Sequence, residues 1–167
     1  MEIRMGSADD IVAVLGMFDS AIEWLVSQGR TGQWGHEPFS ASAKRIEQVT
    51  GWAKEGGMRI ALVDGQPAGC LVVGAANPYV TPAAEPELYV QVLVIYQRFA
   101  GHRIGQALLE RAMEEATAKG VGRVRVDCYA GDDGRLVKYY ESTGFTRTET
   151  FTVGDWPGQI LERRLGA

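Results

Sequence analysis

The chain has 167 residues, 46% hydrophobic and 23% charged, which suits one domain with a full core and excludes a long disordered tail. Seventeen Lys and Arg against 21 Asp and Glu leave a net charge of −4 at pH 7, so the basic stripe needed for general nucleic-acid binding is missing. Apolar runs such as residues 11–18 are far shorter than the ~20 residues of a membrane span, and the opening segment, broken by Glu2, Arg4, Asp9 and Asp10, has no signal-peptide core. Cys70 and Cys128 lie in apolar, strand-like stretches and make neither a disulfide framework nor a metal quartet. The expectation is a soluble cytoplasmic domain with no metal, no nucleic-acid partner and no membrane.

In chain order, Ile3–Met5 reads as a short strand, and Ser7 with Asp10 has capping-box spacing. Ile11, Val14, Leu15, Phe18, Ile22 and Leu25 then form a helical stripe that the segment 29–35 breaks. A second helix is predicted from Ser40 towards Glu55, with Ile46, Val49 and Ala53 on its apolar face. Residues 58–63 and 66–75 read as strands around an Asp64-Gly65 hairpin turn. Three prolines mark 77–86 as a loop, and 88–96 is a β-rich run that becomes continuously apolar. A Gly-containing loop over 97–103 leads to a helix over 104–119, ended by Gly120 and Gly122. Residues 124–128 form a strand, 136–142 a short helix, and 145–153 and 160–165 the last strands, with Trp156 between them. The fold class is α/β (α+β), a mixed and largely antiparallel sheet flanked by helices, in one domain over 1–167.

The sharpest chemical feature is the junction from Leu93 through Ala100, Gly101, His102, Arg103, Ile104 and Gly105 to Leu109. A buried strand enters a helix through a small loop, and the first helical amides have no internal partners. The helix dipole favours an anion there. Gly101 and Gly105 allow close backbone approach, and Arg103 adds charge. The spacing has no Gly-Lys-Ser/Thr and is not Gly-x-Gly-x-x-Gly, which excludes the two common nucleotide loops.

Further on lies Tyr140-Glu141-Ser142-Thr143-Gly144-Phe145. Together the two segments resemble the GNAT acetyltransferase superfamily, whose acyl-CoA loop reads Gln/Arg-x-x-Gly-x-Gly/Ala and whose later motif is Tyr-Glu-x-x-Gly-Phe. The loop departs from the pattern at Ala100, in place of Gln or Arg, and at Arg103, in place of the first Gly. Asp133, seven residues before Tyr140, stands where the family often has Asn, and is expected to cap the helix at Leu136.

The resemblance implies an acetyl-CoA-dependent N-acetyltransferase acting directly on the amine of a small molecule or peptide. It implies cofactor contacts at Leu93, Ile95, Ala100, Gly101, His102, Arg103, Ile104, Gly105, Gln106 and Asp133, and a general acid at Tyr140. The amine must lose a proton before attack, and the leaving thiolate must gain one. Glu87 is the first candidate for the base and Asp127 a weaker one, with ordered water as the alternative. Trp34 would line the acceptor side, while Tyr139 is read as packing and His36 and His102 as loop residues. A catalytically silent acyl-CoA-binding module of the same fold is the alternative function, and homodimer formation stays open.

Overall fold

The computed structural model describes residues 1–166. β1 (Glu2–Met5) leads through the predicted capping box, in which Asp10 Oδ2 accepts from Ser7 N–H at 2.9 Å, into α1 (Ile11–Ser27). After α2 (Ala43–Lys54) come β2 (Met58–Val63) and β3 (Gln66–Gly74), then β4 (Leu88–Ile95) and α3 (Ile104–Lys119). β5 (Arg123–Tyr129), α4 (Arg135–Ser142), β6 (Thr146–Val153) and β7 (Trp156–Arg164) complete the described elements. Hydrogen-bonded strands follow the order β1-β2-β3-β4-β5-β7-β6. Antiparallel pairing joins β1 to β2, β2 to β3, β5 to β7 and β6 to β7, whereas β4 and β5 run parallel. The sheet is therefore mixed and largely antiparallel, as expected. No helix among the described residues is long and apolar enough to cross a membrane.

The chain divides into two compact units. The first comprises Met1–Val72 and Val92–Leu108, and the second Val73–Gln91 together with the chain from Leu109 on. In the first, α1 buries Val14, Met17, Phe18, Ile22 and Leu25. Phe18 stacks on Phe39 with ring centroids 3.9 Å apart and packs beside Trp52 in the same cluster as Met58, Ile60 and Cys70. Asp64 and Gly65 both take positive φ, 51° and 77°, the conformation of a type I′ hairpin turn. Gly69 leaves room for α3 to begin: a Cβ there would lie 2.9 Å from both Ile104 and Ile95 side-chain carbons.

The second helix begins later than its sequence suggests. Ser42 Oγ accepts from Arg45 N–H and starts α2 at Ala43, after a 3₁₀ turn over Phe39–Ala41. Its buried face carries Val49 and Trp52, while Ile46 is exposed, because the indole fills the space beside Phe18.

In the second unit, Val124, Val126, Ile160 and Leu161 bury the facing strands, and Leu109, Ala112 and Ala116 form the apolar stripe of α3. Trp156 lies within β7, not between the last strands, because the hairpin turns at Gly154 and pairs Val153 with Trp156. β6 is largely exposed and carries Arg147 and Glu149, charges that discourage pairing with another strand.

Candidate active site

Within the first unit, β4 ends on Leu93 and Ile95, both half-buried around buried Val94. A turn over Gln97–Phe99 follows, braced where the Arg98 guanidinium lies over the Tyr96 and Phe99 rings at 4.7 and 4.9 Å. Ala100, Gly101, His102 and Arg103 are exposed, and His102 Nδ1 lies 3.0 Å from the Phe99 carbonyl. Gly101 has φ +86° and Arg103 φ +58°. Arg103 thus holds the left-handed conformation that glycine adopts without penalty.

In the loop, the Ala100 and His102 N–H groups reach the Gln97 and Phe99 carbonyls at 3.0 and 3.4 Å. Ala107 N–H reaches the Arg103 carbonyl, but those of Gly101, Arg103, Ile104, Gly105 and Gln106 have no acceptor among the described residues. These unpaired amides, at the positive end of a 16-residue helix, are what an anion such as a pyrophosphate needs. Gly105 is buried in the first turn of α3 and lacks positive φ. Gln106 is exposed.

Trp34 packs edge-on to Phe18 at 5.2 Å, and its carbonyl accepts from Arg45 Nη2 at 3.1 Å.

Within the second unit, the Tyr140 ring is 6% exposed and meets Phe145 and Tyr139 edge to face. Its hydroxyl has no hydrogen-bond partner among the described residues. Burial pushes the Tyr140 pKa well up, with Cys128, Tyr139 and Asp127 adding to the rise, so the phenol stays protonated at neutral pH.

Glu87 is held tightly. Arg123 Nη2 donates to it at 3.0 Å and Arg125 Nε at 2.9 Å, and its side chain is only 7% exposed. Arg125 Nη1 also donates to the Thr81 carbonyl at 2.6 Å. Asp127 is differently placed. Its Oδ1 accepts from Asn77 Nδ2 at 3.0 Å and from the Tyr89 hydroxyl. Burial raises the Asp127 pKa, against the lowering effect of those two donors and of Arg125.

Asp133 does not cap α4. It lies at φ +60° between Asp132 at +55° and Gly134 at +71°, and the N-cap position is taken by Gly134, which has no side chain to cap with. Its backbone takes a left-handed turn in place of the extended conformation usual for an N-cap. Cys70 and Cys128 are free and buried, and burial pushes both thiols up to about 12. No cluster that could hold a metal ion is found among the described residues.

No motif or spacing in the sequence singles out Tyr89, Asn77 and Tyr79. A tyrosine inside the apolar run of β4 was the available signal, since a buried hydroxyl needs a partner.

The model of the Acetyltransferase (GNAT) family matches residues 18–145. Comparison with curated proteins gives no match. Among solved structures, a GNAT-family acetyltransferase from Listeria monocytogenes is 17% identical over 98% of this chain and 94% of that one, with TM-score 0.75. The paiA N-acetyltransferase from Thermoplasma acidophilum, solved in complex with coenzyme A, is 16% identical over 98% of both chains, with TM-score 0.68. The yncA protein of Salmonella typhimurium, solved with its cofactor acetyl-CoA, is 17% identical over 100% and 95%, with TM-score 0.67. At these identities the structural likeness concerns the fold.

Proposed function

The chain belongs to the GNAT acetyltransferase family, and on that basis we propose that it moves the acetyl group of acetyl-CoA directly to an amine, with Tyr140 as general acid. The row of unpaired amides at Gly101 and Arg103–Gln106 carries the reading, because it supplies donors for a pyrophosphate. Acetyl-CoA supplies the activated acetyl group when bound. Ala100, His102 and the exposed Arg103 side chain border those donors, and the backbone of Leu93 and Ile95 would hold the pantetheine arm.

In the reaction the neutral amine nitrogen forms a bond to the acetyl carbon while the carbon–sulfur bond breaks; the nitrogen releases one proton to water as the amide forms, and water restores the Tyr140 proton once it is spent. Tyr140 donates its phenolic proton to the departing sulfur, a role that its protonated state and unbound hydroxyl both suit. Glu87 is the less apt base, since both of its partners are guanidinium groups that fix it as a counter-ion. In this reading Asp133 lies near the cofactor without capping α4, and Trp34 is a candidate wall for the acceptor. In the same reading the protein works in a reducing cytosol, which free, buried cysteines suit.

Calorimetric titration with acetyl-CoA, followed by thiol release across a panel of amines, tests the proposal. Binding together with amine-dependent thiol release is expected. Absence of both heat and a melting shift at millimolar acetyl-CoA would overturn it. Binding without turnover on any amine would favour a silent acyl-CoA-binding module.

A further inference from the structure

Asp127 faces a group of rings that the proposed chemistry has not yet used. Its Oδ1 is occupied by Tyr89 and Asn77, whereas Oδ2 has no donor among the described residues, and the side chain is half-buried. A half-buried carboxylate with open lone pairs calls for a cationic donor. Beside it stands Tyr79, 45% exposed, whose pKa burial and then the Asp127 charge raise to about 12. From Tyr79 the rings continue in a row: Phe151 at 5.4 Å, Trp156 a further 6.2 Å on, and Tyr129 5.4 Å beyond.

The row is built into the backbone. A Cβ at Gly158 would come within 2.2 Å of the Phe151 ring, and one at Gly131 within 2.2 Å of the Tyr129 ring. Each ring therefore lies flat on a glycine, where any side chain would displace it. Phe151, Trp156 and Tyr129 are all partly exposed, so the row offers apolar surface to a ligand. A carboxylate beside aromatic faces is the chemistry that recognises an ammonium carried on an apolar body.

We propose that Asp127 takes the proton of the acceptor's ammonium at Oδ2, and that Tyr79, Phe151, Trp156 and Tyr129 hold the apolar or aromatic body of that amine. This rests on the acetyltransferase reading. The ammonium N–H bond breaks and its electron pair stays on nitrogen, ready for the acetyl carbon. Oδ2 gains the proton and later passes it to water. The titratable and charged groups facing Asp127 are Tyr89 from β4, Tyr79 from the preceding loop, Tyr140 from α4, and Arg125 and Cys128 on its own strand.

The test compares 2-phenylethylamine with glucosamine as acceptors, in the parent and in Asp127→Asn, Asp127→Glu and Phe151→Leu. The aromatic amine should win in kcat/KM by about tenfold or more, and Phe151→Leu should raise its KM while leaving kcat. Asp127→Asn keeps an acceptor for Tyr89 and Asn77 but cannot take the proton. Its kcat/KM should fall about 10²–10⁴-fold, with acetyl-CoA affinity unchanged. Its rate should then climb only as pH nears the amine's own pKa, where the parent shows an acid limb well below. Should Asp127→Asn fail to fold, Asp127→Glu carries the test through a displaced acid limb. An unchanged pH profile in the folded variant, or a preference for glucosamine, overturns the proposal while leaving the acetyltransferase reading intact. A parent that acetylates no amine overturns both.

Discussion

Arg125 Nε donates to the Glu87 carboxylate at 2.9 Å, and the two side chains are only 4% and 7% exposed. Arg123 completes the grip on the same carboxylate. Removing Glu87 would leave the buried Arg125 guanidinium without its ion-pair partner, while Arg123 keeps Glu162 at 3.5 Å, a change that typically costs about 3–5 kcal/mol. Glu87→Ala should therefore lose stability in urea or thermal unfolding by that amount. A variant that keeps its melting temperature but loses kcat would instead make Glu87 the base.

Arg103 supplies a second test. At φ +58° it pays the penalty of a side chain in the left-handed region, roughly 1–2 kcal/mol. Glycine recovers that strain but loses more entropy on folding, so Arg103→Gly should stabilise by about 0.5–1 kcal/mol. Its exposed charge should matter to acetyl-CoA by no more than about 1 kcal/mol, roughly fivefold in Kd, because the amides persist. A lower urea midpoint for Arg103→Gly would show that the side chain makes a contact worth more than the strain.

The limits of α3 were legible because Ile104, Leu108, Ala112 and Ala116 repeat on one face and Gly120 ends the helix at φ +70°. The departure at Arg103 was equally visible, but its left-handed backbone was not, since spacing alone indicates only a loop. The links from Glu87 to Arg125 and from Tyr89 to Asp127 each join residues 38 apart. They depend on the parallel register that sets Tyr89 opposite Arg125, and no local pattern encodes a register between distant strands. For that reason Glu87 reads as a free carboxylate in the sequence and as a counter-ion in the fold. The aromatic row is illegible in the sequence for the same reason, because Tyr79, Tyr129, Phe151 and Trp156 come from separate segments.

Asp10 gives a pH-dependent prediction. It closes the capping box and accepts from Arg4 Nη1 and Nη2, both at 2.9 Å. The Arg4 hydrogen bonds, outweighing burial, hold its pKa below the ordinary carboxylate range. A depressed folded pKa means stability that is present above the unfolded value of about 3.9 and is lost as pH falls through the folded one. Asp10→Asn should cost about 0.5–2 kcal/mol at pH 7, in the range of a lost cap. That difference should shrink below pH ~4 as the parent's own carboxylate protonates. A stability gap that is constant from pH 7 down to pH 2 would rule the ionised Asp10 out as its cause.

Tyr140 separates an enzyme from a binding module. Its hydroxyl bonds to no described residue, so Tyr140→Phe breaks no hydrogen bond of the fold and keeps the edge-to-face packing on Phe145. Stability should stay within about 0.5 kcal/mol of the parent, and acetyl-CoA affinity should hold, since the amides of the loop are untouched. Losing the proton donor should lower kcat by about 10²–10⁴-fold. An interaction made only in the transition state lowers kcat and kcat/KM equally, so the two should fall together. Steady-state kinetics on the best amine, with melting temperature and titration calorimetry as controls, decides the matter. Full activity in a folded Tyr140→Phe would make the ring a packing residue and leave water to protonate the thiolate.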